Sequence, residues 1–179
     1  MKKRLVGMRN FKTALCVLIC MSFTALFNVL EEFVNADAKQ IYNLLFVRDT
    51  ALYSCIAAVI SLQTTLSLTR KTGIIRIVGT VLGGIFSVII LYINSYFDSD
   101  VFSFLLIFSG VIMLISFCSY IGQGKYASVS VVMFLIVVFG ADEVSPYVAA
   151  VHRIIDTFGG AAVALGVNRF LFPPQEEER

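Results

Sequence analysis

The chain has 179 residues, of which 58% are hydrophobic and 15% are charged, and its formal net charge is +2. Soluble globular domains are usually about half apolar and about a quarter charged. The composition therefore excludes an ordinary soluble domain and predicts a polytopic protein in a lipid bilayer, and the small net charge gives no indication of nucleic-acid binding.

A basic N-terminus, with five Lys or Arg residues in its first 12 positions, precedes the first apolar run. That run is too long for a secretory signal and lacks a cleavage site of small residues, so it is predicted to be a transmembrane helix. The fold class is all-α, because a backbone in lipid has to satisfy its own hydrogen bonds. Residues 1–174 are predicted to form one domain, followed by a short acidic tail at 175–179. Its six transmembrane helices are predicted at residues 13–34, 50–68, 74–94, 101–120, 126–140 and 147–172.

The distribution of Lys and Arg predicts the orientation of these spans. One side of the membrane would hold the basic residues of the N-terminus, of the loops after spans two and four, and of the C-terminal end. The opposite side would hold three basic residues and eight acidic ones. The chain is therefore predicted to be a multi-pass protein with both termini in the cytoplasm.

Two segments of the chain resemble each other. Residues 76–84 read RIVGTVLGG and residues 153–160 read RIIDTFGG, with Arg aligned to Arg and Thr to Thr. Two halves of three spans each would have opposite orientations, which is a construction that many transporters use. Two interpretations stay open: two inverted three-helix repeats, or a short match that arises by chance or from shared helix-packing chemistry.

The start of the sixth span carries three ionisable residues on one face of a helix, because Asp156 lies four residues after His152 and three after Arg153. Charged groups inside a span are costly and are usually functional. One interpretation is an ion pair near the outer interface, with Arg153 extended toward water. The other is a transport site, in which Arg153 binds a substrate carboxylate and Asp156 or His152 takes up a proton.

Further candidates lie near the second and third spans. Gln63 and Thr65 are interpreted either as substrate-binding residues or as residues that bond the backbone one turn back or join two helices. Arg76, at the cytoplasmic start of the third span, is a third candidate for substrate binding. Small residues allow close approach of helices, so the glycines of spans three and six are predicted to be helix-packing positions: Gly79, Gly83, Gly84, Gly159 and Gly160.

The sequence gives no indication of an enzyme. It contains one histidine and no nucleophile with a base partner. Cys16 and Cys20 share a helix face, but no histidine or acid lies near them in the sequence, so a metal site is not predicted there. All four cysteines lie in apolar stretches and are interpreted as small packing residues. We therefore expect no catalytic residues, no metal and no cofactor.

Three segments, ISLQTT (60–65), RIVGTVLGG (76–84) and RIIDTFGGAAVALGVNRFLFPP (153–174), resemble the membrane domain of the aromatic acid exporter, or fusaric-acid-resistance-type, family. The resemblance covers roughly residues 10 to 174. It implies efflux of aromatic carboxylic acids or related organic anions across the cytoplasmic (inner) membrane of a bacterium. The positions that match the motifs of that family are Gln63, Thr65, Arg76, Gly79, Thr80, Arg153, Asp156, Thr157 and Asn168.

Many longer members of that family continue into a cytoplasmic domain or a second membrane block. The resemblance therefore implies that this chain acts as a homo-oligomer or with a partner membrane subunit. The alternative hypothesis is a non-transporting membrane scaffold or accessory subunit in envelope assembly, which the small size and the glycine-rich faces favour. A scaffold would tolerate Asp156→Asn and Arg153→Gln but would not tolerate Gly160→Leu, which blocks close packing.

Overall fold

The computed structural model of the protein describes residues 8–34, 51–97, 99–122, 124–140 and 145–170, so the predicted tail at 175–179 lies outside the described residues. Within these ranges every regular element is helical. Two short 3₁₀ turns, Glu31–Phe33 and Gly124–Tyr126, accompany the α-helices. The helices are α1 (Met8–Leu30), α2 (Leu52–Ser61), α3 (Leu66–Asn94), α4 (Asp100–Tyr120), α5 (Ala127–Phe139) and α6 (Pro146–Phe170).

Four of these helices are long and apolar enough to cross a membrane, namely α1 from Asn10, α3, α4 and α6 from Tyr147. The helices α2 and α5 are apolar but shorter. Large hydrophobic side chains lie exposed along the long helices, for example Phe104 and Phe108 on α4, which are 70% and 66% exposed. Such side chains are stable when they face lipid. The predicted all-α membrane class is confirmed for the described residues.

The connection between α2 and α3 departs from the prediction. The helix α2 ends at Ser61 and not at residue 68, and α3 begins at Leu66 and not at residue 74. Gln63 and Thr65 therefore lie between two helices and not inside the second one. The basic residues that were expected in a loop, such as Arg70, lie in the first turns of α3.

Side chains at this connection explain why the helix stops there. Leu62 has an extended backbone with ψ 113°, and its N–H still donates to the carbonyl of Ala58. Thr65 then acts as the N-cap of α3, because its Oγ1 accepts from the N–H of Leu68 at 3.3 Å. An N-cap threonine satisfies a donor that would otherwise have no partner in the first turn of a helix. The apolar run is thus divided by a cap that apolar periodicity alone does not reveal.

The chain forms two compact units. Unit 1 contains residues 1–74 and 155–179, so its described part consists of α1, α2, the start of α3 and most of α6. Its buried side chains are small or of medium size, which allows the helices to approach closely. A Cβ added to Gly160 of α6 would collide with the backbone oxygen of Ser54 and would lie 2.7 Å from the Cβ of Ala57. The core of unit 1 is formed by Cys16, Cys20, Ala58, Leu62, Ala164 and Val167.

Unit 2 is contiguous in sequence and contains residues 75–154, that is, the rest of α3, α4, α5 and the beginning of α6. The helices α3 and α5 meet at Gly83, where a Cβ would collide with the backbone oxygen of Ser130. One position later, a Cβ on Gly84 would lie at an ordinary 3.6 Å from that of Ala150. The cores of unit 2 are formed by Ile90, Leu114, Cys118, Phe134 and Val138, and by Met133, Val137 and Ala150.

Candidate functional site

A cavity of about 330 Å³ lies in unit 1, between α1, α2 and α6. Most of its wall is apolar and includes three phenylalanines, while the polar groups are two hydroxyls, one thiol and one carboxylate. The helix α1 contributes residues at spacings of three and four, which lie on one helix face. The lining residues are Cys20, Phe23, Thr24, Phe27, Ser54, Ile155, Asp156, Phe158, Gly159, Ala162 and Val163.

Two glycines that adjoin each other on α6 have different surroundings. A Cβ on Gly159 would meet nothing within 4 Å, and this residue lines the cavity. A Cβ on Gly160 would collide with the backbone of α2. Gly160 therefore sets the distance between α6 and α2, while Gly159 leaves open space in the cavity wall.

The polar groups of the cavity are mainly hydrogen-bond acceptors. The hydroxyl of Thr24 donates to the carbonyl of Cys20 at 3.2 Å, and the hydroxyl of Ser54 donates to the carbonyl of Ala51 at 2.9 Å. Each hydroxyl uses its single proton on its own helix and keeps a lone pair for a ligand. Asp156, which is only 5% exposed, adds a carboxylate. Among the described residues no Lys or Arg lines this cavity.

A second polar group in unit 1 joins the α2–α3 connection to α1 and α6. The Nδ2 of Asn168 donates to Thr69 Oγ1 at 2.8 Å and to the carbonyl of Gln63 at 3.2 Å. Lys12 Nζ donates to Asn168 Oδ1 at 3.0 Å. Thr69 Oγ1 also accepts from the N–H of Gln63 at 3.0 Å and donates to the carbonyl of Thr65 at 2.9 Å. We call these five residues the polar junction.

The polar junction satisfies its own hydrogen-bonding groups. Asn168 and Thr69 are fully buried, and a buried polar group without a partner is destabilising. The threonine hydroxyl fills one donor and two acceptor sites, and both amide protons of Asn168 are used. The side chain of Gln63 donates to the carbonyl of Ile60 at 3.0 Å. The junction therefore closes the gap that the interrupted helix leaves in the backbone hydrogen bonds.

The predicted site residues fall in different places. Gln63 and Thr65 come together in the polar junction, and Asp156 lies in the wall of the cavity. Arg76, His152 and Arg153 belong to unit 2, where all three are half-buried. The Nε of Arg76 is buried and has no hydrogen-bond partner among the described residues. The roles of these six residues in substrate binding or proton coupling stay predictions.

Other residues of the cavity and of the polar junction were not predicted from the sequence. The phenylalanines of α1 and Ser54 of α2 line the cavity through packing, which no local pattern indicates. Lys12 and Thr69 were not predicted either. The sequence does contain an indication of the role of Thr69, because Thr65 and Thr69 are four residues apart and therefore lie next to each other across one helical turn. No group of three or more His, Cys, Asp or Glu residues that could hold a metal ion occurs in the part of the chain that the structure describes.

Comparison with known proteins adds one finding. A family model described as fusaric acid resistance protein-like matches residues 38–167, which is well over half of the chain. The matched range contains Asp156 and the other α6 residues of the cavity wall, as well as the α2–α3 connection. A search of curated proteins finds no match.

Proposed function

Because the chain belongs to the fusaric acid resistance protein-like family, we propose that it is a transporter that exports aromatic carboxylic acids or related organic anions. We place it in the cytoplasmic membrane of a bacterium. The observation that carries the proposal is the cavity that contains Asp156. Its volume of about 330 Å³ is in the range of small-molecule sites, which is about 300–1,000 Å³. Its three phenylalanines provide an apolar surface for an aromatic ring.

The chemistry of the cavity wall supports a particular form of the substrate. A carboxylate and two hydroxyl oxygens favour a ligand that donates a hydrogen bond. An ionised substrate and an ionised Asp156 would repel each other strongly at close range in a medium of low dielectric constant. The two carboxyl groups would therefore share one proton. In this mechanism the acid occupies the cavity in its protonated form, with its O–H donating to Asp156.

Proton coupling follows from this arrangement. When the substrate leaves as an anion, its proton stays on Asp156 and has to be released before the next acid binds. Two coupled carboxyl groups titrate as a pair, so transport would depend on the pH on both sides of the membrane. His152 lies one helical turn before Asp156 on α6 and is the second group that we propose for proton transfer.

Transport can be tested by accumulation of a panel of aromatic acids in cells that express the wild-type protein, Asp156→Asn or Asp100→Asn. Asp100 is exposed at the start of α4, so its variant makes the same chemical change outside the cavity. We expect lower accumulation of at least one acid with wild type and with Asp100→Asn, but not with Asp156→Asn. Membrane levels of all three proteins have to be equal.

The outcome distinguishes several explanations. Equal accumulation of every acid with wild type and with empty vector would contradict export. Export that persists in Asp156→Asn, or that ignores a pH gradient in proteoliposomes, would contradict the shared proton. Export of hydrophobic amines but not of acids would replace the substrate class, since an ammonium group would also suit a wall of acceptors.

The proposal includes six membrane crossings with both termini in the cytoplasm. The ten residues of α2 rise about 15 Å, and the four residues of the connection, of which Leu62 is extended and Thr64 and Thr65 form a bend, add at most about 13 Å. At that upper limit the segment approaches the hydrocarbon thickness of about 30 Å, so the proposal takes α2 and its connection together as one crossing. Transporters use such discontinuous helices near their binding sites. Reporter fusions at each terminus would test the orientation.

A non-transporting scaffold is the alternative function. It is favoured by close packing at Gly83 and Gly160, where helix faces are shaped for other helices. A scaffold would retain its function in Asp156→Asn and lose it in Gly160→Leu. A homo-oligomer or a partner membrane subunit is compatible with both functions. Crosslinking of intact membranes would detect either one.

A further inference from the structure

A groove lies in unit 1 between the first turns of α3 and the last turns of α6, and its volume is about 420 Å³. Arg70 and Arg169 contribute its charged groups, one from each helix. Gly166 leaves space, because a Cβ at this position would meet nothing within 4 Å. The other lining residues are apolar, namely Leu66, Leu165 and Phe170.

The two guanidinium groups of this groove lack a counter-charge among the described residues. No Asp or Glu lines the groove, and both arginine side chains are exposed. The guanidinium of Arg169 lies 5.9 Å from the centre of the Phe170 ring. Two cations beside one cavity repel each other, and a bound anion would relieve that repulsion. The charge of the groove therefore indicates an anionic ligand.

The position of the groove indicates where that anion comes from. Arg70 is the fifth residue of α3 and Arg169 is the last but one of α6, so both lie at the ends of candidate membrane spans. The ends of spans lie at the level of the lipid headgroups, and the positive-inside rule puts this end on the cytoplasmic side. Basic pockets between helices on that side suit anionic headgroups. Phe170, which is 79% exposed, offers an apolar surface next to the charges.

We propose that this groove binds an anionic phospholipid. Arg70 and Arg169 donate hydrogen bonds to the phosphate oxygens, for which the planar guanidinium is well suited. The first part of an acyl chain packs against Leu66, Leu165 and Phe170. The groove is separate from the cavity that contains Asp156, since the two share no lining residue.

The test uses the full-length protein in detergent and measures bound lipid by native mass spectrometry. The probes are phosphatidylglycerol, cardiolipin and zwitterionic phosphatidylcholine. We expect the anionic lipids to be retained by wild type, and retention to fall about tenfold in Arg70→Gln/Arg169→Gln. The control Lys71→Gln/Lys125→Gln removes the same charge from two exposed residues outside the groove and should change retention less than about twofold.

A second variant blocks the groove without changing its charge and without unfolding the protein. Gly166→Leu fills the groove from an open position, so the protein should remain folded and monodisperse while lipid retention falls. An equal loss in the arginine and lysine variants would overturn the proposal, because binding would then follow net charge alone. The proposal would also be overturned by equal retention of phosphatidylcholine, by full retention of lipid in Gly166→Leu, or by displacement of the lipid by millimolar inorganic phosphate.

Discussion

The difference between Gly159 and Gly160 predicts opposite effects of the same small change. An alanine at Gly160 would place its Cβ 2.7 Å from the Cβ of Ala57 and 2.9 Å from the backbone N of Ala58. Carbon atoms are most stable at about 3.5–4.0 Å. Backbone atoms of α2 cannot rotate away, so α6 has to move. An alanine at Gly159 would meet nothing within 4 Å.

The magnitude of this effect can be estimated from a difference between the two variants. Replacement of a helical glycine by alanine stabilises a helix by about 1 kcal/mol, and both variants gain this equally. Overpacking of a close contact costs about 1–3 kcal/mol, and only Gly160→Ala incurs it. Gly160→Ala should therefore be about 1–3 kcal/mol less stable than Gly159→Ala. For a chain of this size the difference corresponds to about 2–12 °C in Tm.

Thermal unfolding of the purified proteins in the same detergent would measure this difference. Wild type serves as the reference, and Gly159→Ala should equal or exceed it. If Gly160→Ala unfolds at the same temperature as Gly159→Ala or above it, the contact between α6 and α2 is not as close as described. A lower Tm for both variants would indicate that Gly159 also packs against protein.

Two further predictions concern hydrogen bonds. Asn168→Leu removes the centre of the polar junction and should lower the free energy of unfolding by about 2 kcal/mol. The control Asn10→Leu, on the exposed start of α1, should change the free energy of unfolding by less than about 0.5 kcal/mol. Ser103→Ala removes a 2.7 Å bond to Asn94 that links α4 to α3, so we expect a loss of about 0.5–1.5 kcal/mol. Ser109→Ala removes only a bond within α4 and should have no measurable effect. Chemical denaturation checks both pairs, and equal losses within a pair would contradict the assigned bond.

The sequence was sufficient for most of the helices, because their ends are marked by local polar residues. The fourth span was predicted at 101–120 and α4 covers Asp100–Tyr120. The predicted end of the third span at Asn94 is also the end of α3. The family resemblance, based on three short motifs, is confirmed by the family match over residues 38–167.

The polar junction was not predicted because its partners are distant in sequence. The apolar run from residue 50 to 68 reads as one helix unless Gln63 and Thr65 have partners that replace helical bonds. One of those partners is Asn168, which lies 105 residues after Gln63. The cavity was not predicted for the same reason. The sequence predicts a functional role for Asp156, but the phenylalanines of α1 that surround it are brought there by tertiary packing.

The order of the two units along the chain has a consequence for biosynthesis. Unit 2 is continuous from residue 75 to 154, so its helices can pack as soon as they leave the ribosome and enter the membrane. Unit 1 is completed only by residues after 154, which the ribosome makes after those of unit 2. Until α6 arrives, Lys12 and Thr69 lack Asn168, and the helix α2 lacks Gly160, which packs against its backbone. The nascent N-terminal helices therefore have to wait in the bilayer until α6 has been made. During that interval they are open to insertion chaperones and to membrane proteases.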